Sequence, residues 1–155
     1  MEIKTRIFGD VTISDDKMIS FPNGIVGFPD LKDFALIHDE EQGDQAGIRW
    51  MQSVQEPNFA MPVINPLVVK DDYNPMVDDE LLAVIGKGEN LLVMTTITVP
   101  TDLSKMSVNL KAPFVINVDT RKAVQVVLED DLPVKFYVYE LLKARKENAK
   151  NEKKD

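Results

Sequence analysis

His38 is the single histidine of the chain; it follows the apolar run Phe34-Ala-Leu-Ile and precedes Asp39, Glu40 and Glu41. An imidazole oriented by a carboxylate is the smallest kit for general-base catalysis. The rest of the kit is missing, because no serine sits in a Gly-x-Ser-x-Gly elbow and one histidine builds no multi-histidine metal site. His38 therefore reads as a strand-end surface residue. Paired acids are the next candidates: Asp71 or Asp72 with Asp78 or Glu80 would suit a carboxylate-based hydrolase. That chemistry needs two inward-facing acids, and these stand in a polar, turn-rich stretch. Calcium fails on spacing. A loop counted from Asp72 needs glycine at its sixth position and glutamate at its twelfth, where Val77 and Ala83 stand. Asp78-Asp79-Glu80 and Glu129-Asp130-Asp131 read instead as helix-start acids and solvated hairpin tips, or as an acidic surface facing a partner. The glycines of Asn23-Gly-Ile-Val-Gly-Phe28 make no dinucleotide fingerprint; they suit a turn that folds Ile25 and Phe28 inward. No catalytic residue, cofactor or metal ligand is assigned.

The elements that carry these residues read as an all-β fold, mostly antiparallel. Short β-like runs recur about every ten residues, the rhythm of a sandwich or barrel. They cover residues 2–8, 11–13, 17–21, 34–38, 48–52, 59–64, 91–99, 122–129 and 134–141. Leu91 to Val99 is the longest and most β-branched, so it is expected in the middle of a sheet. Pro62 donates no ladder bond, which predicts an edge or bulged strand for residues 59–64. One helix is expected near Pro75 to Ile85: Asn74 or Asp78 caps it, Asp78, Asp79 and Glu80 meet its positive end, and Gly86 stops it. Trp50 and Phe59 sit among apolar neighbours and read as core, as do most of the methionines. The expected product is a compact barrel, closed or partly closed, with one short helix.

A chain of 155 residues, 44% hydrophobic and 28% charged, is one ordinary globular domain. Residues 1–142 form that domain, and 143–155 form a basic polar tail, helical or disordered. There is no cysteine, so disulfides and thiol chemistry are excluded. No apolar run reaches membrane-spanning length and the start has no secretory pattern, so a cytoplasmic location is expected. The net charge of −8 hides an asymmetry: from Lys143 onward six basic residues meet three acids, leaving −11 on the first 142 residues. A body so anionic repels nucleic acid and attracts basic partners.

Polar residues inside β-like runs are the remaining signal. Asn109 and Asn117 flank Leu110-Lys-Ala-Pro113 in strands that otherwise read as buried. Their amides either bond neighbouring backbone where Pro113 interrupts the ladder, or mark an open sheet edge that accepts a partner segment.

Met106-Ser-Val-Asn-Leu-Lys-Ala-Pro-Phe-Val-Ile-Asn117 resembles the signature segment of the flagellar assembly factor FliW family. Gly24-Ile25 with Gly27-Phe28, Met51-Gln52-Ser53, Asn65-Pro66, Tyr73, Thr98-Val99-Pro100 and Gln125 match in order and spacing. The resemblance runs from the first strand to about Leu142. It implies a compact all-β, non-enzymatic protein that binds flagellin in the cytoplasm. It further implies alternate binding of CsrA, the small RNA-binding repressor of flagellin translation, so that flagellin level and flagellin synthesis are coupled. The family hands over no motif-anchored contact. The partner surface is therefore inferred from the residues as Asp71, Asp72, Tyr73, Asn109, Leu110, Lys111 and Pro113. Asp78, Asp79, Glu80, Glu129, Asp130 and Asp131 are expected to act electrostatically. No direct nucleic-acid or membrane contact is expected. The alternative is a small-molecule-binding β-barrel, which would need a deep apolar cavity where large core residues predict a filled interior.

Overall fold

A computed structural model of the chain describes residues 2–38, 48–75, 77–86, 90–129 and 131–144. The chain opens with a hairpin, β1 (Glu2–Thr5) and β2 (Gly9–Thr12), which forms a two-stranded sheet of its own. An antiparallel run follows: β3 (Met18–Ser20), β4 (Asp33–His38), β5 (Ile48–Ser53), β6 (Ala60–Ile64) and β7 (Leu91–Thr98). Helix α1 (Asp79–Ile85) lies between β6 and β7. β8 (Ser107–Val108), β9 (Phe114–Asn117), β10 (Lys122–Gln125) and β11 (Phe136–Tyr137) complete the set. Strands β7-β6-β5-β4-β3-β10-β9 lie side by side, and β9 pairs back onto β7, closing a seven-stranded barrel. Every pairing is antiparallel except β3 with β10, which meet in parallel at Lys122 and Ser20.

Alternation sorts the strand residues into two sets. Ile19, Phe34, Met51, Val63, Met94, Phe114, Ile116 and Ala123 join Phe21 in one buried cluster, the barrel interior. The ring of Phe21 meets Phe34 at 5.3 Å and Phe114 at 5.4 Å, both edge to face. Among the described residues these rings fill the middle of the barrel, where a small-molecule-binding barrel would keep its chamber. The outward set is covered on two sides. The β1–β2 hairpin brings Ile3 and Ile13 against Ala35 and Ile37, with Trp50 half-buried at the edge. On the other side Val115 and Val124 pack with Ile85 of α1, Val108, Leu110, Leu128 and Val138.

Two expectations about elements need correcting. β6 is an interior strand, not an edge. Ser53 N donates to Phe59 O, so by the two-residue alternation Trp50 and Pro62 face each other without ladder bonds. The donor that Pro62 lacks would point away from β5, and pairing with β7 begins only at Val63. The run 134–141 is not one strand: β11 holds only two residues, and residues 139–144 are helical. Leu142 N donates to Val138 O at 2.9 Å, and Val138 and Leu142 both pack on the outer core. That helical turn begins before the boundary expected at residue 143; residues from 145 on lie outside the described ones. α1 starts later than Pro75, with Asp78 at its N-cap position but without a side-chain cap bond, and it ends at Gly86.

Candidate functional site

Residues 109–113 interrupt a single long strand. β8 and β9 both pair with the same edge of β7, Ile97 facing Val108 and Met94 facing Phe114. Three residue steps on β7 thus correspond to six on its partner, and the surplus loops outward as Asn109 to Pro113. Asn109 organises that excursion. Its Oδ1 accepts from Lys111 N and Ala112 N, both at 3.1 Å, an Asx turn that closes the loop on itself.

The loop is not an open edge. Asn109 N donates to Thr96 O, Leu110 N to Pro133 O, Leu128 N to Lys111 O and Val126 N to Pro113 O. With Pro113 lacking an N–H, each backbone donor from 109 to 113 already has a partner. A partner strand therefore cannot add here, and recognition must go through side chains.

Two side chains tie neighbouring segments to this loop. Tyr73 Oη donates to Leu110 O at 2.6 Å from a buried position, 7% exposed. It fastens the exposed Asp71-Asp72 turn beside the loop. Gln125 makes the other tie: its Nε2 donates to Ala112 O at 3.2 Å and its Oε1 accepts from Val26 N at 2.8 Å. It thereby joins the 109–113 loop to the Ile25–Phe28 turn, where Ile25 and Phe28 pair across Val26-Gly27.

The seven residues expected to meet a partner divide by exposure. Asp71 and Asp72 are exposed, and Asn109 and Lys111 are half-buried. Lys70 Nζ stands 2.8 Å from Asp72 Oδ1, and that hydrogen bond holds the Asp72 carboxyl below the usual carboxylate range. Tyr73, Leu110 and Pro113 are buried, because Tyr73 spends its hydroxyl on Leu110 O and Leu110 fills the outer core. Those three shape the surface without presenting side chains to it. Of the acids expected to act electrostatically, Asp78, Asp79, Glu80, Glu129 and Asp131 are exposed. Asp130 lies outside the described residues, as do the side chain of His38 and the acids Asp39, Glu40 and Glu41 that follow it.

The sequence reading missed the apolar part of the site. Phe28, expected to fold inward with Ile25, is 48% exposed, whereas Ile25 is buried. Its ring rests on Phe59 at 4.7 Å, and Phe59 in turn contacts buried Phe34. Val26 and Val127, on either side of the Gln125 tie, are 60% and 58% exposed. Exposed aliphatic and aromatic side chains beside a rigid loop are the usual makings of a protein-binding patch. Two glycines bracketing Val26 were the available signal, since a tight turn leaves its tip no room to bury.

The FliW protein family model matches residues 2–138, the hairpin, the barrel and the loop just described. The chain belongs to the FliW family. The flagellar assembly factor FliW of Lachnoclostridium phytofermentans is 45% identical over 154 residues, covering 96% of this chain and 99% of that protein. The Lachnospira eligens flagellar assembly factor FliW is 39% identical over 147 residues, covering 92% and 97%. A crystal structure of the flagellar assembly factor FliW superposes with a TM-score of 0.81 at 28% identity, covering 89% of this chain and 96% of that one. Within this FliW-family chain no helix among the described residues is long and apolar enough to cross a membrane. Among the same residues no three acidic or histidine side chains are grouped to hold a metal ion.

The Gln125 tie is directly testable. Gln125→Leu keeps most of the volume but breaks both bonds, at a cost of about 1 kcal/mol each when a buried partner is left unpaired, and less where water replaces it. Hydrogen exchange at Val26 N should accelerate while β4–β5 pairing stays protected. Unchanged protection at Val26 would mean the turn holds its position without Gln125.

Proposed function

We propose that the protein is a non-catalytic flagellar assembly factor that binds flagellin in the cytoplasm. In this reading it alternately binds and antagonises the translational repressor CsrA. Free flagellin occupies it and releases CsrA, which shuts off flagellin synthesis; export of flagellin frees it to hold CsrA again. Membership of the FliW family across residues 2–138 carries the proposal. The site supports it, since a locked loop flanked by exposed apolar and acidic groups is equipped to hold a protein and offers no reactive group.

The partner surface is placed on the exposed Asp71-Asp72 turn, the Asn109–Ala112 loop, and Val26, Phe28 and Val127 around it. The acids at 78–80 and 129–131 act at longer range. A basic RNA-binding protein docked on a body of charge −11 meets RNA phosphates with like charge beside it. That repulsion reaches about one Debye length, roughly 8 Å at physiological salt. Antagonism can then operate beside the RNA site without covering it.

Purified protein immobilised in cytoplasmic extract should retain flagellin and CsrA, identified by mass, and added flagellin should displace CsrA. Retention of neither sinks the proposal. Neutralising Asp78, Asp79, Glu80, Glu129, Asp130 and Asp131 together (Asp to Asn, Glu to Gln) should leave CsrA docking in place. Inhibition of RNA binding should weaken, and what remains should fall less steeply with salt than in the parent. Unaltered inhibition with unaltered salt dependence would remove those acids from the mechanism.

A further inference from the structure

Asn23 is the one asparagine of the chain that is followed by glycine. A backbone nitrogen can attack the side-chain carboxamide of the residue before it, and glycine hinders that attack least because it has no side chain. The carboxamide here is available: Asn23 is exposed, and among the described residues its side chain makes no hydrogen bond. The nitrogen is engaged. Gly24 is buried, and its N–H donates to Phe21 O at 2.9 Å, closing a turn over Pro22 and Asn23.

That turn is held from several sides. Phe21 N donates to Lys32 O at 2.7 Å, and Ile25 and Phe28 exchange backbone bonds at 3.3 and 2.9 Å. Val26 N donates to Gln125 Oε1 at 2.8 Å, which ties the segment to β10. Gly24, at φ +71°, lies so close to Pro29 that an added Cβ would stand 2.6 Å from Pro29 Cα. Asn23 and residues 26–30 are nevertheless exposed. A surface segment held mainly by a few backbone bonds is of the kind that opens locally while the core stays folded.

We propose that Asn23 is a deamidation site controlled by the 21–24 turn: the closed turn protects it, and each local opening lets it convert to aspartate and isoaspartate. In the open form hydroxide removes the proton of Gly24 N. The nitrogen attacks Asn23 Cγ, and the Cγ–Nδ2 bond breaks with loss of ammonia. Water then opens the five-membered imide. Cleavage between the nitrogen and Cγ leaves aspartate. Cleavage between the nitrogen and the Asn23 carbonyl carbon leaves isoaspartate, whose main chain runs through Cβ. The imide nitrogen carries no hydrogen, so its bond to Phe21 O is lost on ring closure, and the turn must open first. Isoaspartate lengthens the path from Phe21 to Gly24 by one carbon and adds a carboxylate. The turn cannot close over that path with Gly24 still against Pro29, so conversion leaves the segment that carries Val26 and Phe28 permanently loosened. The site follows from the turn geometry and does not depend on what that segment binds.

The test incubates the full-length protein at mildly alkaline pH and follows the tryptic peptide 18–32, which holds no other carboxamide side chain. A gain of one mass unit reports conversion, and the synthetic peptide 18–32 is the unprotected reference. The protein should convert at least roughly tenfold more slowly than the peptide, the factor for a turn open a tenth of the time or less. Gln125→Leu, which frees Val26 N, should convert faster than the parent. So should the parent in urea below its unfolding transition, an arm that stands whether or not the variant folds. In each case conversion should rise in step with hydrogen exchange at Gly24 N, because both reactions remove the same proton, while β4–β5 amides stay protected. Three results would overturn the proposal: conversion as fast as in the peptide, conversion that does not follow exchange at Gly24 N, or no conversion even in urea while the peptide converts fully.

Discussion

Gly24→Ala should lower the melting temperature by roughly 6–12 °C, which for a domain of this size corresponds to about 3 kcal/mol. Gly24 has φ +71°, a region that costs an L-residue about 1–2 kcal/mol. Space adds to this, because a Cβ there would overlap the backbone oxygen of Pro29 and lie 2.6 Å from its Cα. Backbone cannot rotate out of the way as a side chain can, so the whole 21–32 segment must shift. Its anchors are specific: Gly24 N donates to Phe21 O, and Phe21 N to Lys32 O. The consequence reaches the candidate site, since this segment carries Val26 and Phe28 and is tied through Gln125 to the 109–113 loop. Gly27→Ala is the matched control. Its φ of +86° imposes similar strain, but nothing lies within 4 Å of an added Cβ. Thermal unfolding of the two variants separates the causes. Equal losses would show that overlap with Pro29 contributes nothing.

Asn117→Ala should cost a comparable amount, roughly 3 kcal/mol, by stripping partners from several polar groups at once. The side chain of Asn117 is fully buried at the end of β9. Its Oδ1 accepts from Asp119 N at 3.0 Å and Thr120 N at 3.1 Å, and its Nδ2 donates to Gly86 O at 3.2 Å. Thr120 Oγ1 reinforces the junction by donating to Ile85 O at 2.7 Å. One amide thus shapes the β9–β10 turn and fastens the end of α1 to it. Hydrogen exchange should show the turn and the α1 amides loosening together. If the turn alone loosens, the bond to Gly86 does not secure the helix.

Much of the candidate site was legible in the residues because its parts obey local rules. Asn109 two and three positions before Lys111 and Ala112 is the spacing of an Asx turn, and an amide in an apolar strand demands partners. Those features justified attention to 109–117 and favoured the satisfied-backbone reading, which the bonds of both asparagines bear out. What failed was the assignment of direction. Tyrosine is common at interfaces and equally common in cores that offer its hydroxyl a partner. Only the position of Leu110 O, 37 residues away along the chain, decided for Tyr73. Phe28 was misassigned for the opposite reason: a two-residue turn fixes which residues pair, and not which of the pair faces the core.

The amino-acid sequence by itself determined the all-β class, the absence of cysteine chemistry, the anionic body, the helix before Gly86 and the family of the chain. Each follows from composition, from period-two alternation or from a contiguous motif, and needs no knowledge of what lies across space. Tertiary structure alone decided the rest. β7 was expected to be central, but its pairing with both β6 and β9 is what closes the barrel, and the parallel contact of Ser20 with Lys122 joins segments a hundred residues apart. Pro62 could enter an interior strand only because the edge it faces pairs late. Gln125 became the link between two loops because both came within reach of one amide. Such facts depend on which distant segments meet, and the energy that makes them meet is burial summed over the whole core.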